Sequence, residues 1–358
     1  MTRICALLVM VAALWAAPLH AHETTRSYVT LTRSGADIAT TLRVAFRDIE
    51  VVVWLDENLD GALTWAEVQA RLPAVSAYAD SVLDLSAGGA CRLIQSGAGV
   101  SDSGGVAYLD IAFHGTCPSA TAALTVVSRL FADVDPDHRM YLTVTSGPDQ
   151  TTAILGKTDP SLTVTSDAGS LTGTFASYFV AGALHLAGGF DHVVFLLMLL
   201  LPAVTVQPDT RRALWQVVAA VTGFTLAHAL TLTAASTSLL RPATDLITVL
   251  VALSIVITAL DNIRPFLPGP RTAVAAFFGL IHGFGFATVL GGTAMTGGVF
   301  AIALLGFNLG IEAAQIGVVV LTVFALLALR GGRTLLWLGS AAGAAAGVYW
   351  LSVASGLG

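Results

Sequence analysis

Six side chains in the second half of this chain are of types that hold metal ions or protons, and they stand where such groups are costly. Asp191, His192, His228, His282 and Glu312 lie inside apolar runs, and His185 lies just before one. A charged group at the centre of a bilayer costs roughly 3 kcal/mol or more, so each of these asks for a reason. Imidazole plus carboxylate is a ligand set suited to a first-row divalent metal. A single intramembrane histidine is more often an interhelical hydrogen-bonding group than a ligand. Several histidines with two carboxylates, spread over separate apolar runs, point instead to a shared polar site that takes a metal.

The spacing of these residues sets what must happen for them to meet. His185, Asp191 and His192 form H-x5-D-H. In an unbroken helix His185 and His192 share a face but sit two turns, roughly 10 Å, apart, too far to bind one ion. Gly188-Gly189 offers a break that could fold them together; otherwise Asp191 or His192 must draw partners from other helices. His282 sits among Gly279, Gly283 and Gly285, small residues that let neighbouring backbones approach. Asn308, Glu312 and Gln315 fall on one helical face at i, i+4 and i+7, Asn308 and Gln315 as supporting polar groups. His228 lies in the outer half of its own run. Asp261 shares a helical face with Ser254 and Thr258 and could line an inner exit, although a solvated end residue is the simpler reading.

At these residues the chain resembles the HupE/UreJ membrane proteins associated with hydrogenases and ureases, in particular the longer branch with an exported N-terminal domain. His185, Asp191 and His192 are similar to the family's metal motif, and nickel uptake is the activity that the resemblance implies. The family's second motif, F-H-G-x-A-H-G-x-E, is not intact: His282-Gly283 and Glu312 carry similar residue types on different spans.

The elements that must position these groups follow from composition. Hydrophobic residues make up 55% of the chain and charged residues 11%, which excludes an ordinary soluble enzyme. The chain is mildly acidic, with a net charge of −6 and no long basic run, so nucleic acid is excluded as a partner. The expected architecture is a mainly-β exported domain with a small helical insertion, followed by an all-α polytopic membrane bundle of about six spans. The expected divisions are a signal peptide over 1–21, an exported, periplasmic β-rich domain over 22–170 and a transmembrane helical domain over 171–358. The spans are expected at Leu186–Leu201, Ala213–Ser236, Ala243–Asn262, Thr272–Leu290, Leu309–Leu329 and Thr334–Val353. The apolar pieces Phe175–Leu184 and Val299–Leu305 read as interfacial or re-entrant, being too short to cross alone. Arg211, Arg212, Arg264, Arg271, Arg330 and Arg333 fall in loops expected inside, and only Arg241 falls outside. The positive-inside rule then places the protein in the inner membrane with the N-terminal domain and the C-terminus periplasmic.

In the first half, Arg3, the apolar run Ile4–Ala17 and Leu19-His20-Ala21 read as a secretory signal cleaved before His22, with an uncleaved anchor as the alternative. The α-amine and imidazole of a freed His22 would be a transition-metal chelate, though any terminal histidine offers the same. Cys91 and Cys117 remain in the exported half, where a disulfide is expected. Strands are expected at Ser27–Thr32, Ile38–Phe46, Val106–Phe113, Leu124–Ser128 and Arg139–Thr145, with a helical insertion near Trp65–Leu85. Asp133, Asp135, Asp137 and His138 around Pro136 read as a solvated turn. The sharpest motif here runs from Asp56 to Glu67 and matches a twelve-residue EF-hand loop. Asp56, Asn58 and Asp60 offer side-chain oxygens, Ala62 its carbonyl, Thr64 a direct or water-mediated contact and Glu67 two closing oxygens, while Gly61 makes the turn. Val51–Trp54 before it reads as a strand, so a structural calcium turn is expected rather than a helix-loop-helix switch.

The leading functional expectation is a membrane permease for a divalent transition metal, nickel or similar, taken from the periplasmic side. The alternatives are an intramembrane zinc-dependent hydrolase and a non-transporting assembly or sensor protein. The partners expected are the lipid bilayer, the metal ion and a periplasmic protein bound by the exported domain.

Overall fold

The computed structural model describes residues 25–103, 105–164, 171–205, 209–237, 239–240, 242–285, 290–329 and 332–355. The expected signal peptide, its cleavage point and His22 lie outside these residues. Two compact units emerge: His22–Ser177 with Val289–Ala303, and Tyr178–Thr288 with Leu304–Gly358.

The first unit is built on two sheets. The six-stranded sheet runs β4-β5-β2-β1-β7-β8, with β1 (Arg26–Ser34), β2 (Asp37–Ala45), β4 (Arg92–Ser103), β5 (Val106–Thr116), β7 (Arg139–Ser146) and β8 (Asp149–Leu155). Only the β1–β7 pairing is parallel. The smaller antiparallel sheet is β3 (Leu83–Ser86), β6 (Leu124–Ser128) and β9 (Ser161–Val164), in the order β3-β6-β9. Alternation makes these strands: Ile38, Leu42 and Val44 in β2 and Leu124 and Val126 in β6 point into one core, at period two. Leu31, Leu109, Ile111, Met140 and Leu142 join them from the larger sheet. Removing so many aliphatic side chains from water, at about 25 cal/mol per Å2, is what holds the unit together.

Two helices close that core, α1 (Phe46–Glu50) and α2 (Trp65–Val82). The expected strand at Val51–Trp54 is instead the turn that ends α1, with the Val52 and Val53 amides bonded back to the Ile49 carbonyl at 3.1 and 2.8 Å. The burial spacing explains it: Ile49 and Val53, four apart, are buried, whereas Val51 and Trp54 are exposed. That is the helical period rather than the strand period. Cys91 and Cys117 are joined in a disulfide, one residue beyond the facing pair Arg92 and Thr116 at the end of the β4–β5 ladder. Beyond the strands, Gln150 of β8 holds the segment 294–296, donating to the Ala294 carbonyl at 3.0 Å and accepting from the Thr296 amide at 2.9 Å.

One residue of the turn before β7 departs from expectation. Asp133 and Asp137 are partly or largely exposed, but His138 is buried. Its Nδ1 and Nε2 bond to the Thr25 and Ser27 hydroxyls at 2.7 and 2.9 Å, and Phe131 packs on the ring. Asp135 accepts from the Thr25 amide and hydroxyl and from the Asp137 amide. Burial pushes the His138 imidazole down to about 4, the nearby Asp135 opposing this only in part. The turn itself is solvated, as expected, but His138 is a buried anchor for the start of β1.

The helical half comprises α3 (Leu171–Gly188), α4 (Phe190–Thr205), α5 (Thr210–Ser236), α6 (Thr244–Ile263), α7 (Arg271–His282), α8 (Gly297–Leu329) and α9 (Gly332–Ala354). Four helices, α5, α6, α8 and α9, are long and apolar enough to cross a membrane, and α3 with α4 forms a bent pair that makes a fifth. Among the described residues the bundle thus has four to five candidate spans, against about six expected over the whole chain. The difference lies at Thr272–Leu290: α7 is twelve residues long and stops at His282, and 286–289 are outside the described residues. Two segments expected to be interfacial are parts of longer helices. Phe175–Leu184 lies within α3, and Val299–Leu305 continues into α8, which contains no proline to stop it. Phe195, Leu199, Phe224, Ile255, Val274 and Phe278 form a core shared by α4, α5, α6 and α7.

A candidate metal site among the spanning helices

The break that the sequence offers at Gly188-Gly189 is where the chain bends. α3 ends at Gly188, α4 begins at Phe190, and their axes turn by 74°. The Gly189 amide still bonds to the His185 carbonyl at 3.0 Å, and the Val193 amide to the Gly189 carbonyl at 3.1 Å. The bend folds His192 back on His185, and their ring centroids stand 5.1 Å apart. A side chain would not fit at the corner: a Cβ on Gly189 would lie 2.9 Å from His192 Nδ1 and 3.0 Å from the His185 carbonyl.

His282 arrives from a third helix. Gly279 and Gly283, four residues apart, bring α7 onto α5, where added Cβ atoms would fall 2.5 Å from the Phe224 carbonyl and 2.3 Å from the His228 carbonyl. The His282 ring then stands 4.9 Å from that of His192, with Phe195 and Phe224 against it at 4.7 and 5.3 Å. Phe307 lies 5.6 Å from His185 and Phe224 6.0 Å from His228. The imidazoles are therefore walled by aromatic rings, and His228 and His282 are fully buried.

The hydrogen bonds decide which nitrogens are presented. Asp191 Oδ1 accepts from the His192 backbone amide at 2.8 Å and faces His192 Nδ1 at 2.9 Å. A carboxylate accepts, so the Nδ1 proton goes to Asp191 and Nε2 keeps a lone pair. That Nε2 is buried without a partner. Asp191 thus holds and orients the His192 ring. His282 Nδ1 is likewise buried and unpartnered. Both ring nitrogens of His228 are buried without a hydrogen-bond partner among the described residues. Asn308 donates to the Leu304 carbonyl at 2.8 Å.

The remaining expected residues are placed differently. Gln315 is buried and accepts from the Thr225 hydroxyl at 2.7 Å, an α5–α8 tie rather than a group facing the imidazoles. Glu312 is partly buried with Oε2 unpartnered, and no ring contact or hydrogen bond among the described residues joins it to the histidines. Asp261 is neither solvated nor open to an exit. It is buried, accepts the Phe266 and Leu267 amides at 2.8 Å each and pairs with Arg271 at 3.1 Å. Among the described residues no three histidine, cysteine, aspartate or glutamate side chains are close enough to hold an ion as they stand. The aromatic walls and Ser254, which meets His282 Nε2 at 2.9 Å, are parts of the site that spacing alone did not reveal. Ser254 is one of several hydroxyls in the apolar run of α6, and its spacing places it on the face of Asp261 instead.

The helical half that carries these imidazoles is matched by a family model. That model, described as HupE / UreJ protein, covers residues 161–354, just over half of the chain. The chain belongs to the HupE/UreJ family. No curated protein matches it. Membership suggests a membrane protein related to nickel or cobalt transport, and the matched segment contains every residue of the imidazole cluster. Apart from β9, the strands lie outside the match, so the family assignment rests on the helices.

Proposed function

We propose that this protein is a membrane permease for a divalent transition metal ion, nickel or similar, taken up from the periplasmic side. The observation that carries the proposal is that His185, His192 and His282, from three helices, approach to ring separations of 4.9 and 5.1 Å. His192 Nε2 and His282 Nδ1 meanwhile stay buried without partners. Lone pairs withdrawn from both water and protein are costly unless a cation visits them. Asp191 orients His192 and supplies negative charge beside the cargo. His228 and Glu312 serve as deeper polar stations, and Glu312 exchanges a proton for the ion as it leaves, since metal and proton compete for a carboxylate. A zinc hydrolase needs three protein ligands held around one ion. The looser gathering here suits capture and release better. His192→Ala should lower nickel or cobalt uptake into proteoliposomes at least tenfold; uptake equal to wild type would overturn the proposal.

The β-rich unit is then periplasmic, a reading supported by its disulfide, which belongs to an oxidising compartment, and by the arginines grouped at alternate helix ends. We also propose calcium as the ligand of the loop from Asp56 to Glu67. Asp56 accepts the Leu59 and Gly61 amides, Asn58 that of Asp60, and Asp60 that of Ala62, each at 2.8 or 2.9 Å. This folds the Asp56, Asn58 and Asp60 side chains into one turn. Glu67 instead caps α2, accepting from the Thr64 amide at 2.9 Å and its hydroxyl at 2.7 Å, and would swing inward to close the site. Trp54 and Trp65 flank the loop. Terbium added outside sealed right-side-out vesicles should show tryptophan-sensitised emission that calcium quenches and Asp56→Ala removes. Emission only after the vesicles are opened would contradict the orientation, and none at all the site.

A further inference from the structure

We propose that Ser254 is a positioning residue that holds His282 in the tautomer with its proton on Nε2, presenting Nδ1 to the cargo ion. The inference builds on the transport reading above. A serine hydroxyl has one proton. Ser254 spends it on the Val251 carbonyl at 2.6 Å, within its own helix. The contact of 2.9 Å between Ser254 Oγ and His282 Nε2 then has the imidazole as donor and the hydroxyl oxygen as acceptor. The Nε2 proton is fixed by that bond, and the lone pair must sit on Nδ1, the nitrogen that is buried without a partner.

Among the described residues no other hydrogen-bonding group meets the His282 ring nitrogens. Ser254 and His282 are both fully buried. The faces of the imidazole are taken by Phe195, Phe224 and the ring of His192, and His192 already gives its own proton to Asp191. In the opposite tautomer Nδ1–H would be a buried donor with nothing to accept it, and Ser254 would lose its bond from Nε2. Asp191 and Ser254 therefore play matching parts for two histidines from different helices. One fixes Nδ1–H and frees Nε2; the other fixes Nε2–H and frees Nδ1. The hydroxyl adds no charge, so the pair carries one negative charge beside the ion instead of two, which favours release.

The test is nitrogen-15 NMR of histidine-labelled, metal-free protein in lipid, with the His282 resonance assigned by its loss in His282→Gln. Wild type should show a protonated Nε2 and a bare Nδ1 at His282. Ser254→Ala should mix the tautomers and weaken nickel binding by about tenfold to a hundredfold, and Ser254→Thr, which keeps the hydroxyl, should restore both. A proton on Nδ1 in wild type, or an unchanged His282 signal and unchanged affinity in Ser254→Ala, would overturn the proposal. The wild-type tautomer is read without metal and without any Ser254 variant. This arm can therefore fail while His192→Ala still abolishes uptake, and the converse also holds.

Discussion

At the scale of single residues, burial separates the histidines into two kinds. His138 is buried with both ring nitrogens satisfied by hydroxyls; it is a structural group. His192 and His282 are buried with one nitrogen satisfied and one bare; on the proposed reading, the bare nitrogens are the ones that meet the cargo ion. The distinction gives His138 a pH signature. Its folded value is held at about 4 against 6.5 for the unfolded chain. Above pH 6.5 neither state carries its proton, and the residue has no effect on the pH dependence. As pH falls from 6.5 to 4 the unfolded chain takes up a proton that the folded chain refuses, so stability drops, by roughly 3 kcal/mol at the end of that window. Urea titrations of the protein should show this loss, and His138→Asn should flatten it. An equal slope in the variant would mean that other groups carry the acid sensitivity. Residue types and spacing made the membrane histidines legible. Whether Asp191 binds metal or orients His192 was not, because that depends on which nitrogen faces the carboxylate.

At the scale of elements, the 74° bend between α3 and α4 is what converts a sequence motif into a site. A straight helix would leave His185 and His192 about 10 Å apart; the bend brings their rings to 5.1 Å. Gly188-Gly189 made the break legible in advance, since glycine is the residue that tolerates it. The same reasoning predicts that Gly189→Ala, whose Cβ would press on His192 Nδ1 and the His185 carbonyl, should lower uptake at least fivefold with helical content by circular dichroism unchanged. Full activity in the variant would show that the corner has slack. Other elements were harder to read. Val51–Trp54 is a run of β-branched residues whose burial follows the helical period, and tertiary packing overrode its propensity. Val299–Leu305 looked separate only because charge-free apolar helices carry no internal marks of where they start. β8 and β9 escaped notice because their partly buried polar residues blur the alternation.

At the scale of the whole molecule, the chain combines a disulfide-bonded β unit of its own core with a family-defined helical half. The division was visible in composition alone, since charge frequency and apolar run length change together near residue 170. The number of spans was less sharply set, because the described part of α7 is shorter than the apolar run that contains it. The account as a whole requires imidazoles from α3, α4 and α7 to share one ion. X-ray absorption at the nickel edge on the purified, lipid-embedded protein tests that most directly. Two or three imidazole nitrogens should coordinate the ion in wild type, with one fewer in His192→Ala and one fewer in His282→Ala. A shell of oxygen alone, unchanged by either substitution, would contradict it.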